Sequence, residues 1–130
     1  DRASRYALLF SGDPTARGTH AEAFRIQPPA RYDPSDAAEL PNGDLLVLTR
    51  RFRYPFTFTA KLLRIPRAAI RPGAVAKGTV IATLAPPIMG ENCEGIAVTR
   101  EGGQAMVWIV TDNDLMPLRP TYLMKFRLRD

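Results

Sequence analysis

The sequence predicts an all-β protein built from antiparallel hairpin repeats. Its 12 prolines and 9 glycines lie between short apolar runs, which favours many turns over long helices. Residues 45–48 and 106–110 are apolar at every position, so each run is expected to be a strand buried on both faces. The two runs also occupy corresponding places in an internal repeat. These three features favour stacked β-sheets.

The first part of the chain predicts two strands. Residues 6–10 form a short apolar run that ends at a turn signal, residues 11–14. Residues 21–26 alternate small or apolar side chains with polar ones, which is typical of a strand. We expect these two strands to be the inner part of a third, degraded copy of the repeat.

Residues 33–40 are open to two interpretations. Asp33 as N-cap and Pro34 at the first helical position predict a helix start. The turn at residues 41–43 stops any helix within two turns and leads directly into the apolar run, which favours a strand. The repeat decides for the strand.

The rest of the chain continues as short β elements. The predictions, in order, are a basic-aromatic loop at 49–56, a strand at 61–65, at most one helical turn at 67–71, a strand at 79–84, a strand at 94–99, a turn at 100–103, a loop that residues 111–114 open and that runs to Pro120, and a strand at 122–128.

The repeat sets Asp36 beside Glu94, each an acidic residue before a small-residue strand and a glycine turn. Gly43 and Gly103 lie 60 positions apart, a little above the repeat length of β-propellers, which reaches about 50 residues. Sheets with such strands need neighbours on both sides, and propeller blades meet that need. Propellers have at least four blades. We therefore expect residues 1–130 to be one all-β region forming part of a propeller that other blades or another chain complete; a compact β-sandwich is the alternative.

Composition narrows the class of partner. The formal charge is +5, from fifteen arginines and three lysines against 13 acidic residues, so a small anionic partner is plausible. The basic residues are scattered, with a local cluster only at Arg50, Arg51 and Arg53, and no aromatic-plus-basic nucleic-acid motif is visible, so nucleic-acid binding is not expected. No apolar run approaches the roughly 20 residues of a transmembrane helix, and none is predicted. A single cysteine, Cys93, allows neither an intrachain disulfide nor a cysteine metal site.

Five segments carry a resemblance to a known family: residues 32–36, 40–52, 91–98, 109–114 and 121–126. In order and spacing they are similar to the phytase-like domain family, also described as having esterase-like activity of phytase. The resemblance implies a β-propeller-like fold, activity on an ester, and a periplasmic or secreted bacterial protein. Since those domains are longer, this chain resembles their C-terminal part.

Acidic residues form the best candidate metal site. Glu94, Asp112, Asp114 and Asp36 are the predicted ligands, because hard cations such as calcium bind several carboxylate, amide and carbonyl oxygens. Strand ends and loops converge near the centre of a propeller, where Glu94 and Asp36 are expected to meet. The alternative for residues 112–114 is that Asp and Asn side chains only stabilise a turn by bonding their own backbone.

Glu94, Asp112 and Arg50 are the candidate catalytic residues. Arg50 lies in a cluster with Arg51 and Arg53, and guanidinium groups bind phosphate bidentately. If Arg50 corresponds to Asp112 across the repeat, a structural ion pair is the competing interpretation. A serine esterase is poorly supported, because no Gly-x-Ser-x-Gly motif is present and His20 is the only histidine.

Two functions therefore remain open from the sequence. The first is a metal-assisted hydrolase of phosphate or other esters. The second is a non-catalytic propeller module that binds a ligand or a protein.

Overall fold

The computed structural model describes residues 3–87 and 89–129, and these residues form an all-β fold, as predicted. They contain ten strands and one short 3-10 helix, but no helix long and apolar enough to cross a membrane. The strands are β1 (Arg5–Phe10), β2 (Ala21–Ile26), β3 (Asp33–Glu39), β4 (Leu45–Arg53), β5 (Thr57–Ile65), β6 (Val75–Ala76), β7 (Thr79–Leu84), β8 (Asn92–Glu101), β9 (Gln104–Asp112) and β10 (Leu123–Arg127), and the 3-10 helix is Arg67–Ala69.

The strands form three sheets. Sheet A has the order β1-β2-β6, sheet B the order β3-β4-β5-β7, and sheet C the order β10-β9-β8. Every pair is antiparallel except β2 with β6. Strand β6 lies between β5 and β7 in the chain and pairs with β2. The connection between the last two strands of sheet B therefore also joins sheet B to sheet A. The expected strand at 33–40 is confirmed as β3.

Sheets B and C are the two copies of the repeat, and a β-bulge in the first strand of each fixes their alignment. The bulged residues are Ser35, between Pro34 and Asp36, and Glu94, between Cys93 and Gly95. Glu94 is therefore equivalent to Ser35, and the sequence pairing of Glu94 with Asp36 was wrong by one residue. A bulge adds a residue to one strand without a clear sequence signature, which explains the error.

Sheet B lies between the other two, and its strand β4 is buried on both faces as predicted. Leu46 and Leu48 are 0% exposed and pack with residues of sheet C. Val47, 1% exposed, points the other way and packs with Phe24 and Ile26 of sheet A. Alternating side chains of one strand thus build two separate cores.

The matching prediction for residues 106–110 was wrong on one face. Val107 and Ile109 are buried against sheet B, but Val110 is 38% exposed and Trp108 is half-buried. Among the described residues no further sheet covers the Trp108 side of sheet C. The apolar pattern correctly predicted a strand, but burial of its second face requires another sheet on the Trp108 side.

The predicted loop at 49–56 is also mostly strand. Strand β4 continues to Arg53 and β5 begins at Thr57, so only residues 54–56 connect them. Arg50 therefore lies in a paired strand opposite Asp33, which fixes its backbone beside the start of β8.

Candidate functional site

Glu94 lies at the bulge near the start of β8. Asn92 and Cys93 before it are buried, at 1% and 0% exposure, whereas the Glu94 side chain remains 36% exposed. Bulges re-aim a side chain relative to the regular strand alternation. Here the bulge leaves one carboxylate partly open to solvent above two buried residues.

Asp112 and Asp114 come from the end of β9 and the loop after it. Asp112 accepts a hydrogen bond from the Asp114 backbone N–H at 3.2 Å, and Asn113 accepts one from the Leu115 N–H at 3.1 Å. Asp114 has a φ of 53°, which Asp tolerates better than most residues. The turn-stabilising role considered for these residues is thus present, and it fixes where their carboxylates lie.

The structure brings three of the four predicted ligands together. One carboxylate oxygen from each of Glu94, Asp112 and Asp114 lies within 4.8 Å of the other two. The fourth, Asp36, is not in this group. Its carboxylate accepts hydrogen bonds from the backbone N–H groups of Ile96 and Ala37, both at 2.8 Å, and so joins sheet B to sheet C.

Asn92 connects the members of this acidic group. Its amide nitrogen donates to Glu94 Oε1 and to Asp114 Oδ1, both at 2.8 Å. Its Oδ1 accepts from Arg50 Nη1 at 2.5 Å. One buried side chain therefore holds two carboxylates and a guanidinium in a fixed arrangement. Asn92 precedes Glu94 by two positions in the sequence, and sequence reasoning assigned it no role.

Arg50 pairs with Glu94, with 2.6 Å between Nη1 and Oε1. The bulge register also makes Arg50 equivalent to Asp112, because Thr49 and Thr111 each pair with the residue just before the bulge. The equivalence considered from the sequence is confirmed. The ion pair, however, joins Arg50 to Glu94.

Arg119 is a second cation at the site, and sequence reasoning missed it. It contacts Asp114 Oδ2 at 3.2 Å and Glu91 Oε2 at 3.4 Å, and it also donates to the Phe56 carbonyl. The Glu91 contact is a close ion pair, although that buried oxygen makes no hydrogen bond among the described residues. The available signal was that Arg119 is the only basic residue between Arg100 and Lys125.

An arginine-lined depression adjoins the acidic group. It measures about 490 Å³ and is lined by Arg31, Asp33, Arg50, Arg51, Phe52 and Phe58. Arg50 thus borders the depression and also contacts Glu94. The lining combines three arginines and two phenylalanines with one acidic residue, Asp33, so its charge is positive on balance and suits a small anion with an organic part.

The acidic group fits a hard metal cation. Carboxylate oxygens are the ligands such ions prefer, and three here are close enough to converge on one ion. Glu94 also pairs with Arg50, and Asp114 pairs with Arg119. These two positive charges reduce the repulsion among the three carboxylates. The cluster could therefore hold a metal ion.

Cys93 does not offer a nucleophile. Burial, together with the nearby carboxylates of Glu91 and Glu94, raises the pKa of its thiol to about 11. The thiolate is the reactive form. At neutral pH Cys93 is a protonated core residue.

Comparison with protein families gives one result. The family model described as "Phytase-like: Esterase-like activity of phytase" matches residues 1–115. The chain belongs to this phytase-like family. The match includes the first 31 residues, which the sequence resemblance left out, and excludes residues 121–126, which it included. Comparison with curated proteins and with solved structures found no significant match.

The phytase-like match covers the acidic group and Arg50 but not Arg119. The second cation of the site therefore lies in a part of the chain to which the family model does not extend.

Proposed function

We propose that this phytase-like chain is a calcium-dependent hydrolase of small anionic esters, with phosphate esters as the first class to test. The observation that carries the proposal is the place of Arg50. It borders the arginine-lined depression and also contacts Glu94 of the acidic group. A phosphate bound by the arginines would lie next to the carboxylates.

Glu94, Asp112 and Asp114 are the proposed calcium ligands. Calcium takes 6–8 oxygen ligands at roughly 2.3–2.6 Å, so backbone carbonyls and water would complete the set. When bound, the ion supplies charge neutralisation to the ester oxygens. Asp36 is left out, because its carboxylate already bonds two backbone N–H groups.

The protein side chains orient the ester. Arg50 binds the phosphate oxygens, since a planar guanidinium can donate two parallel hydrogen bonds. Asn92 and Arg119 are positioning residues: they hold Glu94 and Asp114 in place without reaching the ester. This division of roles assigns catalysis to Arg50, Glu94 and Asp112, as the sequence predicted.

A propeller arrangement is part of the same proposal. Sheets A, B and C stack in chain order, and the outer faces of sheets A and C carry exposed apolar side chains such as Tyr6, Leu8 and Val110. Further blades or another chain would cover them. Family membership supports export to the periplasm or the medium as the place of action.

A non-catalytic binding module is the second candidate. The observation that favours it is that every acid of the cluster already has a structural partner: Arg50 for Glu94, the Asp114 N–H for Asp112 and Arg119 for Asp114. Such contacts suffice to explain these residues without a reaction.

Turnover of p-nitrophenyl phosphate and p-nitrophenyl acetate, with calcium or a chelator, separates the two candidates. We expect calcium-dependent turnover of the anionic ester, p-nitrophenyl phosphate, that Glu94→Gln lowers by at least about tenfold, since losing even an outer partner of a metal ligand costs 10–100-fold. The matched control is Glu39→Gln, an exposed acid in β3, which should leave turnover unchanged. No turnover of either ester, or turnover unaffected by Glu94→Gln, would favour the binding module.

A further inference from the structure

The arginine-lined depression has an aromatic wall to which the proposed function gives no role. Phe52 and Phe58 line it, and they pair directly across β4 and β5. Their ring centroids are 5.0 Å apart, and the ring planes are tilted by 53°. Tilted rings at this separation attract each other. The two side chains therefore form one defined aromatic surface beside the arginines.

The two rings differ in how much of their surface is already covered. Phe58 is half-buried, and the Arg119 guanidinium lies 5.3 Å from its ring centroid. Phe52 is 53% exposed, and its ring contacts no aromatic or cationic group other than Phe58 within the described residues. Phe52 is thus the ring that a ligand in the depression can cover.

Strand geometry places Phe52 beside Arg50. The two residues are two positions apart in β4, so their side chains lie on the same face of the sheet. At a rise of about 3.4 Å per residue, their Cα atoms lie about 7 Å apart. Arg50 is also the residue that contacts Glu94. A phosphate bound by Arg50 would therefore have its organic group within reach of the Phe52 ring.

The charge and origin of the lining suit a small anion. Arg31 and Arg51 line the depression, and neither makes an ion pair within the described residues. Asp33, which also lines it, pairs with Arg5, and this pairing offsets its negative charge. The lining comes from β4, β5 and residues 31–33. These segments are internal to the chain, so neither chain end creates the depression.

We propose that the depression selects aryl phosphate monoesters, with the Phe52 ring packed against the aromatic ring of the ester. This selectivity rests on the proposed function for its reaction, but it is itself a property of binding. A flat aromatic group makes favourable offset-stacked or edge-to-face contacts with a phenylalanine ring, whereas a small alkyl group covers little of that ring. Phe52 is thus the specificity-determining residue of the site.

Phosphonates test this selectivity separately from the reaction. Phenylphosphonate, cyclohexylphosphonate and methylphosphonate carry the same acid group, but they have no ester bond to hydrolyse. Each is titrated into the full chain in calcium-containing buffer, and binding is measured by calorimetry. We expect phenylphosphonate to bind at least about tenfold more tightly than methylphosphonate and at least about threefold more tightly than cyclohexylphosphonate.

Substitutions in the β4–β5 hairpin assign the preference to one ring. Phe52→Ala should reduce the phenyl-to-methyl affinity ratio to less than about threefold, and Phe52→Leu should remove the preference for phenyl over cyclohexyl. The matched control is Phe56→Ala, because Phe56 is 62% exposed on the same hairpin and does not line the depression. This variant should leave both affinity ratios unchanged.

Selectivity and turnover can fail separately. A smaller phenyl-to-methyl ratio in the unaltered chain, or a ratio that Phe52→Ala leaves unchanged, overturns the aryl selectivity even if p-nitrophenyl phosphate is hydrolysed. Absence of phenylphosphonate binding overturns it as well. A preference that depends on Phe52, in a chain that does not hydrolyse p-nitrophenyl phosphate, supports the selective site and contradicts the hydrolase.

Discussion

Replacing Asn92 with alanine is expected to lower the free energy of unfolding by about 3 kcal/mol. The Asn92 side chain is 1% exposed and makes three hydrogen bonds, to Arg50, Glu94 and Asp114. Hydrogen bonds to charged groups contribute roughly 1.5–3 kcal/mol each, and partners left unpaired add a desolvation cost. Because water can hydrogen-bond to Glu94 and Asp114 once Asn92 is removed, the expected loss is smaller than the sum of the three hydrogen-bond contributions. Urea unfolding of the purified chain measures the change.

The matched control for this substitution is Asn113→Ala. Asn113 lies in the same acidic loop, but its amide accepts a single hydrogen bond, from the Leu115 N–H. Its loss should cost about 1 kcal/mol or less. If both variants unfold at the same urea concentration, Asn92 does not have the central role that its contacts indicate.

Leu48→Ala is expected to destabilise the chain by about 3 kcal/mol through the core between sheets B and C. Leu48 is 0% exposed and packs in the cluster that contains Ile96 and Ile109. Buried Leu→Ala substitutions cost about 2–5 kcal/mol, because transfer and cavity terms add. Thermal or urea unfolding is the measurement.

Leu123→Ala makes the same chemical change on the open face of sheet C. Leu123 is 68% exposed, so its truncation should cost less than about 0.5 kcal/mol. A large loss at Leu123 would mean that another molecule covers this face in solution. A small loss at Leu48 would contradict the packing of sheet C on sheet B.

Much of the fold could be predicted from the sequence, because strand alternation and turn residues are local signals. The run at 45–48 correctly gave a strand buried on both faces, and the glycine turns located both hairpins. The run at 106–110 misled for a physical reason. Side chains that are apolar on both faces of a strand predict a packing partner on each face. Among the described residues only sheet B packs on this strand, and it covers one face.

The candidate site was predicted less completely. Glu94, Asp112, Asp114 and Arg50 come together because a bulge positions Glu94 and an Asx turn positions the two aspartates, and residue type alone was enough to select them. Asp36 was misplaced by a one-residue shift that the bulge creates. Arg119 could not be placed at all, since it reaches the site from an irregular loop whose path no periodic pattern specifies.

Calcium titration of the full chain by calorimetry tests the central claim most directly. We predict one site per chain with a dissociation constant on the order of 10⁻⁴ M, as for calcium modules with few charged ligands. Asp112→Asn should weaken binding by at least about tenfold, whereas Asp13→Asn, in the loop between β1 and β2, should not change it. Absence of a calcium-binding heat in the wild type, or equal affinity in Asp112→Asn, would contradict the assignment of Glu94, Asp112 and Asp114 as a metal site.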